Sequence, residues 1–515
     1  MIFIGAELNN PNAHFVTNII ACIGSGNDLV IDLLSINDSD EIFRRIAVHL
    51  QNADERYVVY NAYTNEDFFL RFKSRFPRLH LLIIFSDDEW RHSNYNRYLA
   101  LYADLFTTAV KGHLALYEGY GLIPTYMPWA CNPKMYYPVE ADKDIDVSFV
   151  GTAYGKRLEY IRSLISSGIE VRVYGRGWGE SADLRPHWGG ALSHQGVLEV
   201  ISRSKINLNF LWTSAKEDLC TIKARTLELS ACDAFQLSNY TFEFDNYGLV
   251  EGQNIATFDT KEMLLSRVRY YLKHEDEREQ MARNAYELVL QQHTWEQRFQ
   301  TVFERLEKKP NRVAAKLKKY DLMIFVREGV RHDISVDDTR MNIQICQPSD
   351  TGMDFDAQVD GVVWLDHDSG INNEALYIMA FGLSSDESDA IASNFYISSG
   401  RARYWIRFRD RMLNQNRKLL SGLPGECIMY SGGYASTRRF DSNALADAKH
   451  LSYIEFPSYQ IDLPYAKSRR MRLYYADYGD SRVQLKKELK ALGFGRALSL
   501  MIDKAWQKLG LGQGG

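Results

Sequence analysis

Short apolar runs alternate with amphipathic stretches along the first 130 residues. The runs are continuously apolar, as strands of a parallel sheet are when helices cover both of its faces. Asn37, Ser39 and Asp40 offer helix caps after the second run. The predicted strands are IFIGA at 2–6, LVIDLLSI at 29–36, YVVYNAY at 57–63, HLLIIF at 80–85, DLFTTAV at 104–110 and TYMPWA at 125–130.

The pattern pauses at residues 132–145, where NPKMYYPVEADKDI is polar and rich in turn residues, as in a linker. A second series of the same kind follows, and a long charged amphipathic stretch at 261–308 closes it. We therefore predict an α/β fold with two Rossmann-like, doubly wound domains at 1–131 and 139–308 and a cleft between them. The strands predicted in the second domain are DVSFVG at 146–151, EVRVYG at 170–175, KINLNFLW at 205–212, AFQLSN at 234–239 and NIATF at 254–258.

Residues 320–515 form a third region with a less regular pattern. YDLMIFV, NIQICQ and DGVVWLD are strand candidates, and helical patterns come after them. We predict a C-terminal accessory domain of α/β or α+β type.

Composition narrows the classes of function. The 515 residues are 45% apolar and carry a net charge of −5, which argues against nucleic acid as the partner. The six cysteines form no CxxC pair, as expected for reduced thiols. The first residues lack a signal-peptide pattern, and the longest apolar runs are far shorter than the ~20 residues of a membrane span. The expected location is the cytoplasm.

Two glycine-bearing loops follow strands of the second domain and suit a phosphate group. Backbone N–H groups at a helix start bind anions, and glycines allow close approach. In FVGTAYGKR at 149–157, Gly151 precedes Arg157 at the predicted helix start. In VYGRGWG at 173–179, Gly175 ends a strand, and we expect this loop to shape the pocket for the donor base, with Trp178 near it. An ordinary strand–helix turn and a packing tryptophan are the alternatives.

The segment KARTLELSACDAFQLSNY at 223–240 places Lys223 and Arg225 just before Glu228. Two cations and a carboxylate are what a diphosphate and a ribose require. A solvated helix-start pair and a carboxylate favoured by the helix dipole are the alternatives.

This segment resembles the donor site of the CgeB-like glycosyltransferases, which carry K-x-R-x-x-E followed by an ACG turn. The resemblance extends over about 300 residues. It implies a GT-B fold, a nucleotide-sugar co-substrate and no other cofactor. It also implies that Glu228 holds the donor ribose, while Arg157, Lys223 and Arg225 face the pyrophosphate. The other similar segments are DVSFVGTAYGKR, VYGRGW, HEDEREQMARNAYELVLQQHTWEQRF, FSDDEW and YMPWACNPKMYYP.

The sequence departs from that pattern at two positions. Cys220 stands where many retaining GT-B enzymes have a first glutamate, eight positions before Glu228, which leaves inversion and retention both open. Asp233 stands where the family has the glycine of its ACG turn. Aspartate adopts a left-handed conformation less readily than glycine.

An inverting transfer needs a base for the acceptor hydroxyl. Asp87 and Asp88 follow a predicted strand of the first domain and would face the cleft, although helix capping is an equal alternative. His14, in the first strand–helix region, is a further candidate. Lysine and arginine can balance the leaving-group charge, so the chemistry requires no metal.

The third region contains WLDHDSG, in which Asp366 and Asp368 are spaced like the DxD metal ligands of GT-A enzymes; a turn is the alternative. Residues 485–511 are basic and apolar and could contact a membrane surface, although docking on the protein itself is more common.

The expected function is sugar transfer from a nucleotide-sugar donor to a glycan or a lipid-linked acceptor. A non-catalytic nucleotide-sugar or glycan-binding protein and a bifunctional enzyme, with a second activity in 320–515, are the alternatives. The acidic net charge argues against a DNA glucosyltransferase.

Overall fold

The structure of the chain is a computed structural model. By contacts the chain divides into two compact units, one of residues 1–96 with 100–315 and one of residues 97–99 with 316–515. The described residues are 1–5, 14–33, 35–36, 38–61, 66–86, 88–212, 220–308, 318–347, 358–365, 371–385, 390–393, 395–399, 402–406, 428–430, 451–454 and 460–462.

The first domain is built on a parallel sheet of six strands, in the order β2-β1-β3-β4-β5-β6. Its strands are β1 (Ile2–Gly5), β2 (Leu29–Asp32), β3 (Tyr57–Asn61), β4 (His80–Ile84), β5 (Leu105–Thr108) and β6 (Thr125–Tyr126). Its helices are α1 (His14–Ile23), α2 (Ser39–His49), α3 (Glu66–Arg75), α4 (Asp88–Arg91) and α6 (His113–Gly119). The short helix α5 (Arg97–Ala100) lies between α4 and α6 in the chain, and its first three residues group by contacts with the other unit. The six predicted strands are all present.

The cap of α2 differs from the candidates in the sequence. Asp38 is the N-cap residue, and its carboxylate accepts a hydrogen bond of 2.9 Å from the backbone N–H of Glu41. A side chain at this position satisfies one of the N–H groups that a helix start leaves unpaired. Ser39 instead begins the helix and is buried.

The second domain repeats the architecture with five parallel strands in the order β11-β10-β9-β7-β8. Its strands are β7 (Ile145–Val150), β8 (Val171–Tyr174), β9 (Ser204–Asn209), β10 (Gln236–Asn239) and β11 (Ala256–Phe258). Its helices are α7 (Lys156–Ser166), α8 (His194–Arg203), α9 (Ala224–Ala231), α10 (Lys261–Tyr271) and α11 (Glu275–Gln292). Two separate doubly wound sheets confirm the predicted fold class.

Strand order shows where each sheet can bind a ligand. In the second sheet the chain moves from β7 outward to β8 and then returns to β9 on the other side of β7. Loops after β7 and β9 therefore diverge to opposite faces and leave a crevice at the carboxyl ends of the strands, the usual ligand position in such sheets.

One further helix, α12 (Trp295–Lys308), follows α11 but packs on the first sheet. Its buried face joins Phe3, Val59 and Leu82 in one apolar cluster. Packing therefore assigns α12 to the first domain, although its residues lie within 139–308. The residues that α12 adds to this cluster are Trp295, Phe299, Val302 and Leu306.

The unit that contains residues 316–515 has a mixed sheet of seven strands, in the order β13-β14-β12-β15-β19-β16-β20. β14, β12 and β15 are parallel, whereas β13 and β19 run antiparallel to their neighbours. The helix α13 (Asn373–Ser385) is largely buried. The strands of this sheet are β12 (Tyr320–Val326), β13 (Asp337–Asp338), β14 (Met341–Cys346), β15 (Gly361–Leu365), β16 (Ala390–Ser393), β19 (Ile428–Tyr430) and β20 (Leu451–Ile454). A second sheet of three strands contains β17 (Phe395–Ser399), β18 (Ala402–Ile406) and β21 (Gln460–Asp462).

Within the described part of the chain, no helix has both the length and the apolar character needed to cross a membrane.

Candidate functional site

The two glycine loops of the second domain lie against each other. Gly175 has φ +115°, and a Cβ at this position would stand 2.5 Å from the carbonyl oxygen of Gly151. Both the backbone conformation and this approach therefore exclude a side chain. The indole N–H of Trp178 donates a 2.7 Å hydrogen bond to the same carbonyl oxygen. Trp178 is fully buried and packs against the two loops from the core side. Its side chain is therefore inaccessible to a ligand, which corrects its predicted role in donor binding.

Arg157 lies behind the first glycine loop, in the first turn of α7. Its guanidinium donates to the carbonyl oxygens of Thr152, at 3.1 Å, and Phe210, at 3.0 Å, and lies 3.9 Å from the ring centre of Tyr154. It therefore links the segments that follow β7 and β9, at the crevice. Burial lowers the pKa of Arg157 to about 10. Burial disfavours the charged guanidinium, and an anion bound in the crevice would stabilise that charge.

Helix α9 carries the predicted basic and acidic residues. Lys223 is its N-cap residue, and Glu228 is the fifth residue of the helix, so Glu228 lies in the second turn and not at the start. The guanidinium of Arg225 lies 3.2 Å from the Glu228 carboxylate, and their side chains are 21% and 4% exposed. Burial acts to lower the pKa of Arg225, but Glu228, Tyr136 and Cys232 together outweigh burial and raise it. Glu228 is thus a nearly buried acceptor that a cation holds in place.

The turn after α9 shows how the chain accommodates an aspartate in place of glycine. Asp233 has φ +52°, in the left-handed region. Its carboxylate forms an ion pair of 2.6 Å with Arg283 on α11. Among non-glycine residues, aspartate and asparagine tolerate this conformation best. The turn that leads from α9 to β10 therefore forms without a glycine.

The first domain meets α9 with a carboxylate. The ammonium group of Lys223 forms an ion pair with Glu89 of α4, whose side chain is only 5% exposed. A second contact joins the domains nearby, because Lys111 donates a 3.1 Å hydrogen bond to the side-chain oxygen of Asn246. These contacts mark the cleft between the carboxyl edges of the two sheets.

Glu243 supports the turn before α9. Its carboxylate accepts a 2.7 Å hydrogen bond from the backbone N–H of Ile222, next to Lys223. Burial raises the pKa of Glu243, against that hydrogen bond and the charges of Lys223 and His113. Residues of both domains therefore meet around Lys223.

Asp88 lies fully buried at the base of this cleft. Its carboxylate accepts hydrogen bonds from Asn96 at 2.8 Å, from Tyr117 at 2.6 Å and from the hydroxyl of Thr108. Nδ1 of His113 lies 3.2 Å from the same carboxylate. Burial acts to raise the pKa of Asp88, but these donors, led by His113, hold it below its usual range. A carboxylate so enclosed cannot meet an acceptor, which corrects the expectation that Asp88 faces the cleft as a base.

The remaining predicted site residues fall largely outside what the structure describes. Asp87, Asp366, Asp368 and residues 485–511 lie outside the described residues. His14 begins α1, but its side chain is not among those described.

Two residues of this cleft, His113 and Glu243, were not predicted from the sequence, whereas Glu89 was expected at the carboxyl end of its strand, beside Asp87 and Asp88. His113 follows β5 as Asp88 follows β4, so the position after a strand was the available signal. Since β4 and β5 are parallel neighbours, residues that follow them lie at the same sheet edge. Polar residues after every strand, taken together, would have indicated His113.

Comparisons with known proteins found one family model and a set of solved structures. Residues 156–304 match the model of a family described as glycosyl transferase-like. The chain thus contains a glycosyl transferase-like region, which spans less than a third of its length. A comparison with curated protein sequences found no match.

The solved structures with a similar course of the chain include the following three. HepE of Anabaena, in complex with UDP and glucose, is 11% identical; the match covers 60% of this chain and 99% of HepE, with a TM-score of 0.45. Sucrose-phosphate synthase of Thermosynechococcus elongatus is 9% identical; the match covers 60% of this chain and 98% of the synthase, with a TM-score of 0.43. An alpha-glucosyltransferase in complex with UDP is 12% identical; the match covers 59% of this chain and 99% of the alpha-glucosyltransferase, with a TM-score of 0.42.

Proposed function

We propose that the protein is a glycosyltransferase that moves a sugar from a nucleotide-sugar donor to a hydroxyl group of a glycan or a lipid-linked acceptor. One observation carries this proposal. Lys223, Arg225 and Glu228 lie within the first two turns of α9, inside the glycosyl transferase-like region, and Lys223 pairs with Glu89 of the first domain.

Each donor group has a suitable partner in the proposed site. Glu228 is a charged acceptor for the two ribose hydroxyls, since a carboxylate can accept from both. The diphosphate lies by the loop at Gly151, near Arg157 and Lys223. As the sugar leaves, negative charge grows on the diphosphate, and fixed cations stabilise that charge without reorganising. No cofactor other than the nucleotide-sugar is part of the proposal.

The proposal has finer features as well. They are a cytoplasmic location, a role in surface-polysaccharide synthesis, an acceptor other than nucleic acid, and contact of the basic and apolar residues 485–511 with a membrane surface. The acidic net charge of −5 supports the exclusion of nucleic acid.

A calorimetric titration tests donor binding. We expect one of UDP, GDP, CMP and dTDP to bind the full-length protein, and Arg157→Met to weaken that binding by tenfold to a hundredfold. A hydrogen bond to a charged group contributes about 1.5–3 kcal/mol, and each ~1.4 kcal/mol is a factor of ten.

Arg162→Met is the matched control, because Arg162 lies on the same helix and pairs with Asp183 on the exposed surface. Its affinity should equal that of the wild type. Failure of all four nucleotides to bind at millimolar concentration contradicts the proposed function. Binding without any transfer or hydrolysis favours the non-catalytic alternative.

A second candidate function is a bifunctional enzyme, and the fold of the third region favours it. β12 and β15 are parallel neighbours, and their carboxyl ends lie at one edge of the mixed sheet. In the sequence, Asp366 and Asp368 come directly after β15. Two carboxylates so spaced can share a divalent cation with a diphosphate. The second activity would be a metal-dependent sugar transfer.

Binding stoichiometry separates one site from two. With Mn²⁺ present we expect two UDP sites per chain, and with EDTA one. The double variant Asp366→Asn/Asp368→Asn should retain only the metal-independent site. Asp337→Asn changes an exposed carboxylate of the same region and should keep both sites. A single UDP site under all these conditions would count against a second activity.

A further inference from the structure

We propose that His113 is the general base of the transfer, with Nε2 as the proton acceptor and Asp88 as the residue that positions it. This inference rests on the proposed glycosyltransferase function and deepens it. It makes the transfer an inverting one, which the sequence leaves open.

The first step of the argument is the fixed position of Asp88. Thr108, Asn96 and Tyr117 all donate to its carboxylate, and the side chain has no exposed surface. Three donors from separate segments leave it no room to rotate. The fold therefore fixes the position of the Asp88 carboxylate relative to His113.

The second step concerns the tautomer of His113. An ionised carboxylate only accepts hydrogen bonds, so Nδ1 at 3.2 Å must carry a proton. In the neutral ring Nε2 then holds the lone pair. The arrangement gives His113 the properties of a base.

The third step is location. His113 begins α6, just beyond the carboxyl end of β5, and its side chain is 13% exposed. Two residues earlier, Lys111 contacts Asn246 of the second domain. Glu243 of that domain lies close enough to His113 and Lys223 for their charges to lower the pKa of its carboxyl group, against the effect of burial. His113 therefore faces the cleft from the first domain, opposite the proposed donor site.

The proposed step balances as follows. The acceptor oxygen forms a bond to the anomeric carbon while the bond from that carbon to the diphosphate oxygen breaks. The acceptor proton passes to Nε2 of His113 and then to solvent. The bonding pair leaves on the nucleoside diphosphate, beside Lys223. Attack from the face opposite the leaving group inverts the anomeric configuration.

A purely structural role for His113 makes a different prediction. In that case Nδ1–H would only tie α6 to Asp88. Asparagine separates the two roles, because its side-chain N–H₂ can donate to Asp88 in place of Nδ1 while offering no basic nitrogen. A structural role predicts that His113→Asn retains turnover, and the proposed role predicts that it does not.

The experiment uses full-length protein and the slow hydrolysis of UDP-glucose, or of GDP-mannose if the protein binds GDP, with water as the acceptor. We expect His113→Asn to reduce hydrolysis by about 10²–10⁴-fold, the usual contribution of a general base. Donor affinity, measured by titration, should be unchanged. Asp88→Asn should lower turnover without changing donor affinity, because an amide that donates to Nδ1 places the proton on Nε2.

The matched control is His49→Asn. His49 also pairs with a carboxylate, Glu55 at 3.2 Å, but that pair lies near the amino end of β3, at the opposite edge of the sheet. Its hydrolysis rate should equal that of the wild type. NMR of the first product should show β-glucose from the α-linked donor, and imidazole should restore part of the activity of His113→Ala.

Several results would overturn the inference while leaving the proposed function intact. They are full hydrolysis by folded His113→Asn, the α anomer as first product, or a wild type that binds donor and leaves it intact for days. Absence of donor binding by the wild type is a different result. It rejects the proposed function, and the assignment of His113 is rejected with it.

Discussion

Lys223→Met is expected to lower turnover by about 10²–10³-fold while donor affinity changes much less. Removing one fixed group that stabilises charge in a transition state typically has an effect of this size. The charge of Lys223 matters most as the diphosphate leaves, and an interaction that strengthens in the transition state affects turnover more than binding. The measurements are the initial rate of hydrolysis at saturating donor and a titration with UDP.

Glu89→Gln is the informative companion variant. Lys223 forms an ion pair with Glu89 of the first domain. A diphosphate must therefore compete with a carboxylate that is already present. Removing the charge of Glu89 should strengthen UDP binding, whereas Lys223→Met should not.

Lys261→Met serves as the control for Lys223→Met, because Lys261 forms an exposed ion pair with Glu159 in the same domain. Its turnover should be unaffected, since exposed pairs contribute at most about 1 kcal/mol to stability. Unaltered turnover in Lys223→Met, with the protein folded, would mean that the leaving group lies elsewhere.

Glu228→Ala is expected to weaken donor binding by tenfold to a few hundredfold. Hydrogen bonds to a charged acceptor contribute about 1.5–3 kcal/mol each, and each ~1.4 kcal/mol is a factor of ten in affinity. Glu228→Gln should have a milder effect, because the amide oxygen still accepts. Titration of the bound nucleotide into each folded variant measures the difference.

Stability provides an independent readout for Glu228. Arg225 lies 3.2 Å from Glu228 and is mostly buried, so its guanidinium loses its carboxylate in Glu228→Ala. Leaving a buried polar group unpaired costs about 1–3 kcal/mol. Glu251→Ala, which breaks the exposed pair with Arg267, should change neither stability nor affinity appreciably. If Glu228→Ala loses stability but binds donor as the wild type does, Glu228 holds only Arg225.

Much of the fold follows from local patterns. LLII in β4 is apolar at every position, and VSFV in β7 is apolar except at Ser148. The structure buries almost all of these residues on both faces. Such runs must pair with other strands and be covered by helices, so the two doubly wound sheets could be predicted. The glycine loops could be predicted as well, because only glycine allows the contact between Gly175 and Gly151.

The chemical groups of the donor site could also be predicted, because Lys223, Arg225 and Glu228 lie within a stretch of six residues. The role of each predicted site residue was harder to predict. Trp178 has the character of a base-stacking residue in the sequence, yet its indole lies in the core and donates to Gly151. Burial depends on what packs above a side chain, and that is not a local property.

Only the tertiary structure decided which residues meet at the cleft. Asp88 and His113 are 25 residues apart, and Glu89 and Lys223 are 134 apart. The order of β4 and β5 in the sheet brings the first pair together, and the approach of the two domains brings the second. The sequence determined which chemical groups follow each strand, because strand and helix patterns are local. Which of those groups is buried, and which faces a partner, depends on strand order and packing, and these join residues that the chain keeps far apart.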